Sequence, residues 1–224
     1  MVRKVAVSSF LGNFIEWFDY ASYSYFATTI ALVFFPTDNH TVAMLQTFGV
    51  FALSFLMRPV GAFFWGHMGD KKGRKWALSI SILMMSGATF LIGCLPGYAI
   101  LGVGAPLLLL LLRIVQSFSA AGEYAGAATF IAEYAPKNHR GFYCSMVPAS
   151  TATGLLVGSL FATFMFNTWG ATSDFVVDWG WRIPFLLALP LGYITHYIRT
   201  HLEDSPVYEE MQEHLKQQGS SVKH

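Results

Sequence analysis

The 224-residue chain is 54% hydrophobic and 12% charged, with 20 phenylalanines, whereas a soluble domain is usually about 25% charged. One soluble core of this size could not hide so much apolar surface, so the composition points to a bilayer as the solvent. A net charge of +1 argues against a nucleic-acid partner, because no basic face dominates.

Six apolar runs are predicted as membrane-spanning helices, at roughly 9–34, 42–65, 76–96, 102–132, 143–167 and 182–200. Each reaches the ~20 residues that cross ~30 Å of hydrocarbon. The first contains "GNFIEWFDYASY". Counted from an entry near Ser8, Glu16 lies ~12 Å deep and Asp19 ~16 Å deep. Each buried carboxylate costs at least ~2.5–3 kcal/mol on insertion scales. Being three residues apart, the two acids share a helical face with Tyr20 and Tyr23. That face is expected to line a cavity or meet a cation. The same acids speak against a cleavable signal peptide.

Between the second and third runs lies "GHMGDKKGRK". Gly66 and Gly73 are expected to permit a tight turn at helix ends. Asp70 is expected at the N-terminus of a short or following helix, where negative charge is favoured. Lys71, Arg74 and Lys75 are expected to reach acids or helix C-termini on a neighbouring bundle and hold the cytoplasmic side closed. These bases also enforce topology.

The fourth run, "RIVQSFSAAGEYAGAATFIAEYAP", supplies a cation. Arg113, Gln116 and Glu123 fall along one stripe, with Arg113 nearer the outer leaflet and Glu133 nearer the cytoplasm. Arg113 is expected to face Asp19 or Glu16 across a wet cavity, which would partly compensate its charge. Solute competing for that arginine would switch the acid's protonation and so couple the two. A static ion pair tying two helices together is the other reading of the same residues. Gly122-x-x-x-Gly126 and Gly154-x-x-x-Gly158 are expected to let helices approach closely.

Basic residues set the expected direction. Arg3 and Lys4 precede the first run. Lys71, Lys72, Arg74 and Lys75 occupy the second gap, Lys137 and Arg140 the fourth, and Arg199 closes the sixth run. The gaps "FPTDNHT", "PGYAILG" and "NTWGATSDFVVDWGW" hold no Lys or Arg. Both termini are therefore expected in the cytoplasm, and Trp169, Trp179 and Trp181 at the outer interface. Cys94 and Cys144 lie near the ends of different runs, which argues against a disulfide; both are expected as small buried hydrophobes. Residues 1–202 form the predicted transmembrane domain. Residues 203–224 are polar, with a helix start expected at Ser205-Pro206 ahead of Glu209. No metal cluster, cofactor motif or catalytic triad is read, and His67 has no partner histidine at ligand spacing.

Gly66-x-x-x-Asp70-Lys71-x-Gly73-Arg74-Lys75 resembles the signature loop of the major facilitator superfamily. "GNFIEWFDY", "RIVQSFSAAGEYAGA", "AEYAPKNHRG", "WGWRIPFLL" and "EDSPVYEEM" are similar to its metabolite:proton symporter branch, nearest the proline/betaine type. Ser117 and Ala121 depart from that branch, which usually has glycine there. The resemblance implies an all-α membrane fold of twelve spans in two six-helix halves, of which this chain supplies the N-terminal one, with 203–224 as the start of the central cytoplasmic loop. It implies proton symport of a small organic solute such as proline, betaine or a carboxylic acid, by alternating access, in the inner membrane of a bacterium. Glu16, Asp19, Tyr23, Arg113, Gln116 and Glu123 are the expected coupling and solute residues. Gly66, Asp70, Lys71, Gly73, Arg74, Lys75 and Arg140 are the expected cytoplasmic gate. The partners implied are the solute, a proton and the lipid bilayer. Equally open is a truncated or partner-dependent half that transports nothing alone, because its polar face would lie open to lipid without a second six-helix half. An enzyme is the weakest reading.

Overall fold

A computed structural model describes residues 2–202; the polar stretch 203–224, including the helix start expected at Ser205, lies outside the described residues. Among the described residues the regular structure is all helical. The α-helices in chain order are α1 (Val2–Tyr25), α2 (Ala27–Phe34), α3 (His40–Phe55), α4 (Arg58–Lys72), α5 (Arg74–Cys94), α6 (Tyr98–Leu101), α7 (Gly104–Ala120), α8 (Glu123–Tyr134), α9 (Arg140–Cys144), α10 (Met146–Trp169) and α11 (Arg182–Thr200).

Several of these are parts of one rod. The ladder runs from α1 into α2 through Phe26, which donates to Ser22 O and accepts from Ile30 N, each at 2.9 Å. The break between α3 and α4 falls at Leu56–Met57, ahead of Pro59 in the first turn of α4, the position where a proline's missing N–H does no harm. Four runs, 40–72, 74–94, 104–134 and 137–169, are long and apolar enough to cross a membrane. α1 and α11 are also long enough, but polar residues lower their hydropathy: Glu16 and Asp19 in α1, Arg199 in α11. All three are buried inside the bundle rather than turned outward, where they would meet oil.

α1 threads the bundle and enters all three apolar clusters. Tyr23 joins Phe26, Phe34, Leu109, Trp181 and Phe185 at one end. Ile15 packs with Ile82, Met85 and Ala188 in the middle. Val5 meets Leu78, Phe130, Ile131 and Val147 at the other end. Both small-residue motifs make the close approaches expected of them. A Cβ on Gly154 would lie 2.9 Å from Phe14 O and Phe18 N of α1, and one on Gly122 would lie 2.9 Å from Trp65 Cβ of α4. Large apolar side chains cover the outside, with Phe63 83% and Leu56 70% exposed.

Four local expectations are corrected. Trp181 is not interfacial: it is fully buried, its ring edge-on to Phe34 at 5.7 Å, because the chain turns inward there to start α11. The cysteines are free, but Cys94 is exposed and Cys144 half-buried. Gly66 turns nothing, since it lies inside α4, and Asp70 sits in the last turn of α4 rather than at a helix N-terminus. Only Gly73, at φ 99°, separates α4 from α5, a conformation that a side chain would strain.

Candidate functional site

The first polar constellation starts on α1. Glu16, Asp19, Tyr20 and Tyr23 are all buried, as their shared face required. Side chains three residues apart on a helix diverge by about 60°, so the face splits in two. Asp19 and Tyr23 address α7, while Glu16 and Tyr20 address α4.

On the α7 side, Arg113 Nη1 donates to Asp19 Oδ2 at 2.6 Å and to Gln116 Oε1 at 2.7 Å. Gln116 Nε2 in turn donates to Thr89 Oγ1 on α5 at 2.7 Å. The guanidinium lies over the Tyr23 ring, 3.9 Å from its centroid, and the Tyr23 hydroxyl donates to Thr47 O on α3 at 2.8 Å. Four rods thus converge on one ion pair. The two side chains are 1% and 2% exposed, so they meet in direct contact and not across the wet cavity expected from the sequence. Asp19 Oδ1, Arg113 Nε and Arg113 Nη2 have no hydrogen-bond partner among the described residues. Leaving buried charged groups partly unpaired is costly, so the pair has both acceptor and donor capacity to offer a small polar molecule.

On the α4 side, the Arg58 guanidinium binds Glu16 Oε1 and the Tyr20 hydroxyl, and Tyr20 donates to the same carboxylate oxygen at 3.0 Å. Arg58 also lies 4.8 Å from the centroid of Phe55. Its side chain is 29% exposed, against 2% for Glu16. Arg113 therefore answers only one of the two acids, because Glu16 has a cation of its own. Arg58 was missed in the sequence because one charge in "FLMRPVGAFFW" hardly lowers the mean hydropathy of the run; the signal was an intramembrane arginine, rare enough to stand out by itself.

Glu123 stands apart from this site. It heads α8, beyond the short break at Ala121–Gly122, and its carboxylate is held by Arg199 of α11 through both oxygens, one contact measuring 3.0 Å. Arg199 also donates to Leu78 O and Ser8 O, at 2.7 and 3.2 Å. Both side chains are 1% exposed. The expected stripe of Arg113, Gln116 and Glu123 is thus corrected, with only the first two in contact. Its place at a helix end suggests only a marker of topology, but Arg199 is a buried cation.

The expected gate is mostly helix. Asp70 and Lys71 lie in the last turns of α4, Gly73 is the joint, and Arg74 and Lys75 open α5. Arg74 Nε pairs at 2.9 Å with Glu133 of α8, so its acid lies in the same bundle and not on a neighbouring one. A pocket of about 280 Å³ runs beside these residues, lined by Trp65, Gly66, Asp70, Arg74, Gly122 and Gly126 among others. Arg140 is exposed at the start of α9. At the opposite end of the bundle, Arg182 donates to Gly93 O and Leu95 O, at 2.9 and 2.5 Å, closing the C-terminus of α5 with a cation.

The sugar (and other) transporter family matches residues 4–224. The proline/betaine transporters of Salmonella typhimurium and Escherichia coli K12 are each 41% identical to the chain over 216 residues, which is 96% of this chain and 43% of theirs. The chain thus spans less than half the length of these curated relatives. Among solved structures, the inward-open xylose transporter XylE from E. coli superposes with a TM-score of 0.76 at 16% identity, covering 93% of this chain and 50% of XylE. XylE bound to 6-bromo-6-deoxy-D-glucose reaches 0.79 at 17% identity over 92% and 46% of the two chains. With apolar runs fit to cross a bilayer several times and a helical fold shared with XylE, the chain is a multi-pass membrane protein, and it belongs to the sugar (and other) transporter family of the major facilitator superfamily, a family of transporters and not of enzymes.

Proposed function

We propose that the chain forms the six-helix N-terminal half of a proton-coupled secondary transporter for a small zwitterion or carboxylate of the proline/betaine kind, working by alternating access. In this reading all six rods cross the inner membrane of a bacterium, with both termini in the cytoplasm. The observation that carries it is the Asp19–Arg113 pair, buried at the meeting of four rods with one acid oxygen and two guanidinium nitrogens unpartnered. A solute carboxylate would take the open guanidinium nitrogens. A proton on Asp19 would release Arg113 to make that contact, so proton and solute would bind together. The cationic end of a zwitterion would meet Tyr23 and Phe51, whose rings already accept the guanidinium. Gln116, itself braced by Thr89, would keep Arg113 in place when Asp19 lets go. Gly73 and the Arg74–Glu133 pair would serve as the cytoplasmic joint, with Glu16, Arg58 and Tyr20 as a second titratable cluster nearer the outer surface of α4.

These names support the solute class: the relatives at 41% identity are proline/betaine transporters, and XylE is described as a proton:xylose symporter. Uptake of labelled proline, glycine betaine and dicarboxylates into proteoliposomes, with and without an imposed proton gradient, tests the proposal. Uptake indifferent to the gradient would remove the coupling claim.

A second reading is favoured by the α3–α4 surface. Arg58 is 29% exposed there, between outward side chains of Leu56 and Phe63. A guanidinium facing lipid at that depth is costly, and a second six-helix half would cover it. The chain would then transport only with that mate, and the uptake panel should be run on the chain alone and with the C-terminal half of the E. coli proline/betaine transporter.

A further inference from the structure

We infer that Arg58, held by Glu16 and Tyr20 and flanked by an aromatic wall, is a separate docking site for a small carboxylate that carries a quaternary ammonium. Arg113 is 1% exposed and closed to direct approach, whereas Arg58 is 29% exposed. Both hydrogen bonds of Arg58, to the Glu16 carboxylate and the Tyr20 hydroxyl, run through Nη2, which leaves Nη1 for a ligand. A guanidinium nitrogen so placed takes a carboxylate oxygen in a charge-assisted hydrogen bond.

The surroundings select the other end of the ligand. Arg58 Cζ lies 4.8 Å from the centroid of Phe55 and 5.2 Å from that of Tyr20. Phe51 continues the wall, 5.0 Å from Phe55 and 5.6 Å from Tyr20, and Trp17 meets Tyr20 edge-on at 5.6 Å. Trp17, Phe51 and Phe55 are half-buried, so the wall has an open side. Ring faces attract a cation without accepting a hydrogen bond from it. The Tyr20 hydroxyl is already engaged by Arg58 and Glu16, and Glu16 is only 2% exposed. An ammonium with N–H groups would lose its water against these rings and gain no acceptor, whereas a quaternary ammonium has no hydrogen bond to lose. Charge points the same way. Glu16 already neutralises Arg58, so a plain carboxylate would leave the docked cluster negative, and a ligand's own cation restores neutrality. Phe51 also lies 5.8 Å from Arg113, so the wall leads from this site to the buried pair. The inference deepens the transport reading, as the place where solute is first held, but the binding itself needs neither Asp19 nor a proton gradient.

Scintillation-proximity binding of labelled glycine betaine to the purified chain in detergent, with unlabelled competitors and no gradient, tests it. Glycine betaine should compete about tenfold better than 3,3-dimethylbutanoate, which keeps its shape and carboxylate but has a neutral carbon in place of the nitrogen. Choline, which lacks the carboxylate, should compete hardly at all. Phe55→Leu should erase the margin of glycine betaine over 3,3-dimethylbutanoate. Arg58→Lys, which keeps a cation for Glu16 but not the fork, should weaken binding about tenfold. Melting curves check that both variants fold, and either one decides if the other does not. Lys137→Ala, an exposed base outside the wall, should change nothing. Failure to bind glycine betaine, equal competition by 3,3-dimethylbutanoate, full affinity in Arg58→Lys, or an equal loss in Lys137→Ala would overturn the site. Binding of the expected pattern without any uptake would leave the site standing and remove the transport reading. Gradient-driven uptake with binding indifferent to Arg58 and Phe55 would do the reverse.

Discussion

Arg199 of α11 grips Glu123 of α8 by both carboxylate oxygens while donating to Leu78 O of α5 and Ser8 O of α1, so one buried guanidinium ties four helices together. Gly12 makes room for it, since a Cβ there would collide with Glu123 Oε1 and Arg199 Nη2. Removing one partner from a buried pair strands the other charge and costs about 3–5 kcal/mol. Arg199→Ala and Gly12→Val should therefore both sharply lower the thermal unfolding midpoint in detergent. The double variant Glu123→Met with Arg199→Met should recover most of the loss, because it strands no charge. If Arg199→Ala unfolds at the wild-type temperature, the pair is not holding the helices.

Arg182 carries a smaller load at the other end. Its guanidinium donates to Asp178 O at 2.8 Å and to Gly93 O and Leu95 O, which end α5. Hydrogen bonds to a charged donor contribute about 1.5–3 kcal/mol. Arg182→Leu should lower the midpoint by less than Arg199→Ala. Arg182→Lys should restore only part, since an ammonium lacks the fork that reaches several carbonyls at once.

Gly154 tests the packing of α10 on α1. A side chain there would press on Phe14 O and Phe18 N, backbone atoms that cannot step aside. Gly154→Val should destabilise by about 1–3 kcal/mol through overpacking. Gly66→Ala should be nearly silent, because nothing lies within 4 Å of a Cβ at that helical position. Melting curves of both variants make the comparison.

Much of this arrangement was legible in the sequence. Long apolar runs mark where helices lie, and each of those read there falls on helix, four of them long and apolar enough to cross a membrane; the ends differ because helical hydrogen bonds continue past the apolar stretch, as in α4 to Lys72 and α8 to Tyr134. That Arg113 meets an acid of the first run is legible, because a lone cation in an apolar run needs a partner; which of Asp19 and Glu16 it meets is not. Three features were not. Arg58 was averaged away within its run, so Glu16 was left without its cation. Arg199 sits at a helix end, where sequence cannot tell a snorkelling base from a buried one. Asp70 is expected at a helix N-terminus because glycine and charge suggest a turn before it, yet the helix absorbs Gly66 and Gly69 and yields only at Gly73. The Arg58 and Arg199 misses concern which neighbour a side chain meets, a tertiary fact that hydropathy does not encode.

Asp19→Asn gives the sharpest test of the central pair. The amide keeps the size of the carboxylate but not its charge, and Arg113 is still held by Gln116 and the Tyr23 ring, so the protein should fold and insert. Losing one partner of a buried charged pair costs about 2–5 kcal/mol, or about 30-fold or more in the linked equilibrium. Proton-driven accumulation of solute should therefore fall at least about 30-fold, and the remaining uptake should no longer respond to an imposed proton gradient or to external pH, because the asparagine cannot take the proton. Arg113→Lys should fail differently. It keeps the charge but cannot reach Asp19 and Gln116 together while stacking on Tyr23, so solute affinity should drop while the response to the gradient persists. Glu16→Gln separates the two clusters: Arg58 is only part-buried, so gradient-driven uptake should fall much less than in Asp19→Asn. Proteoliposome uptake at several pH values, with and without an ionophore, distinguishes the three variants. If Asp19→Asn still accumulates solute against a gradient while Glu16→Gln does not, the proton is carried by the acid on the α4 side instead.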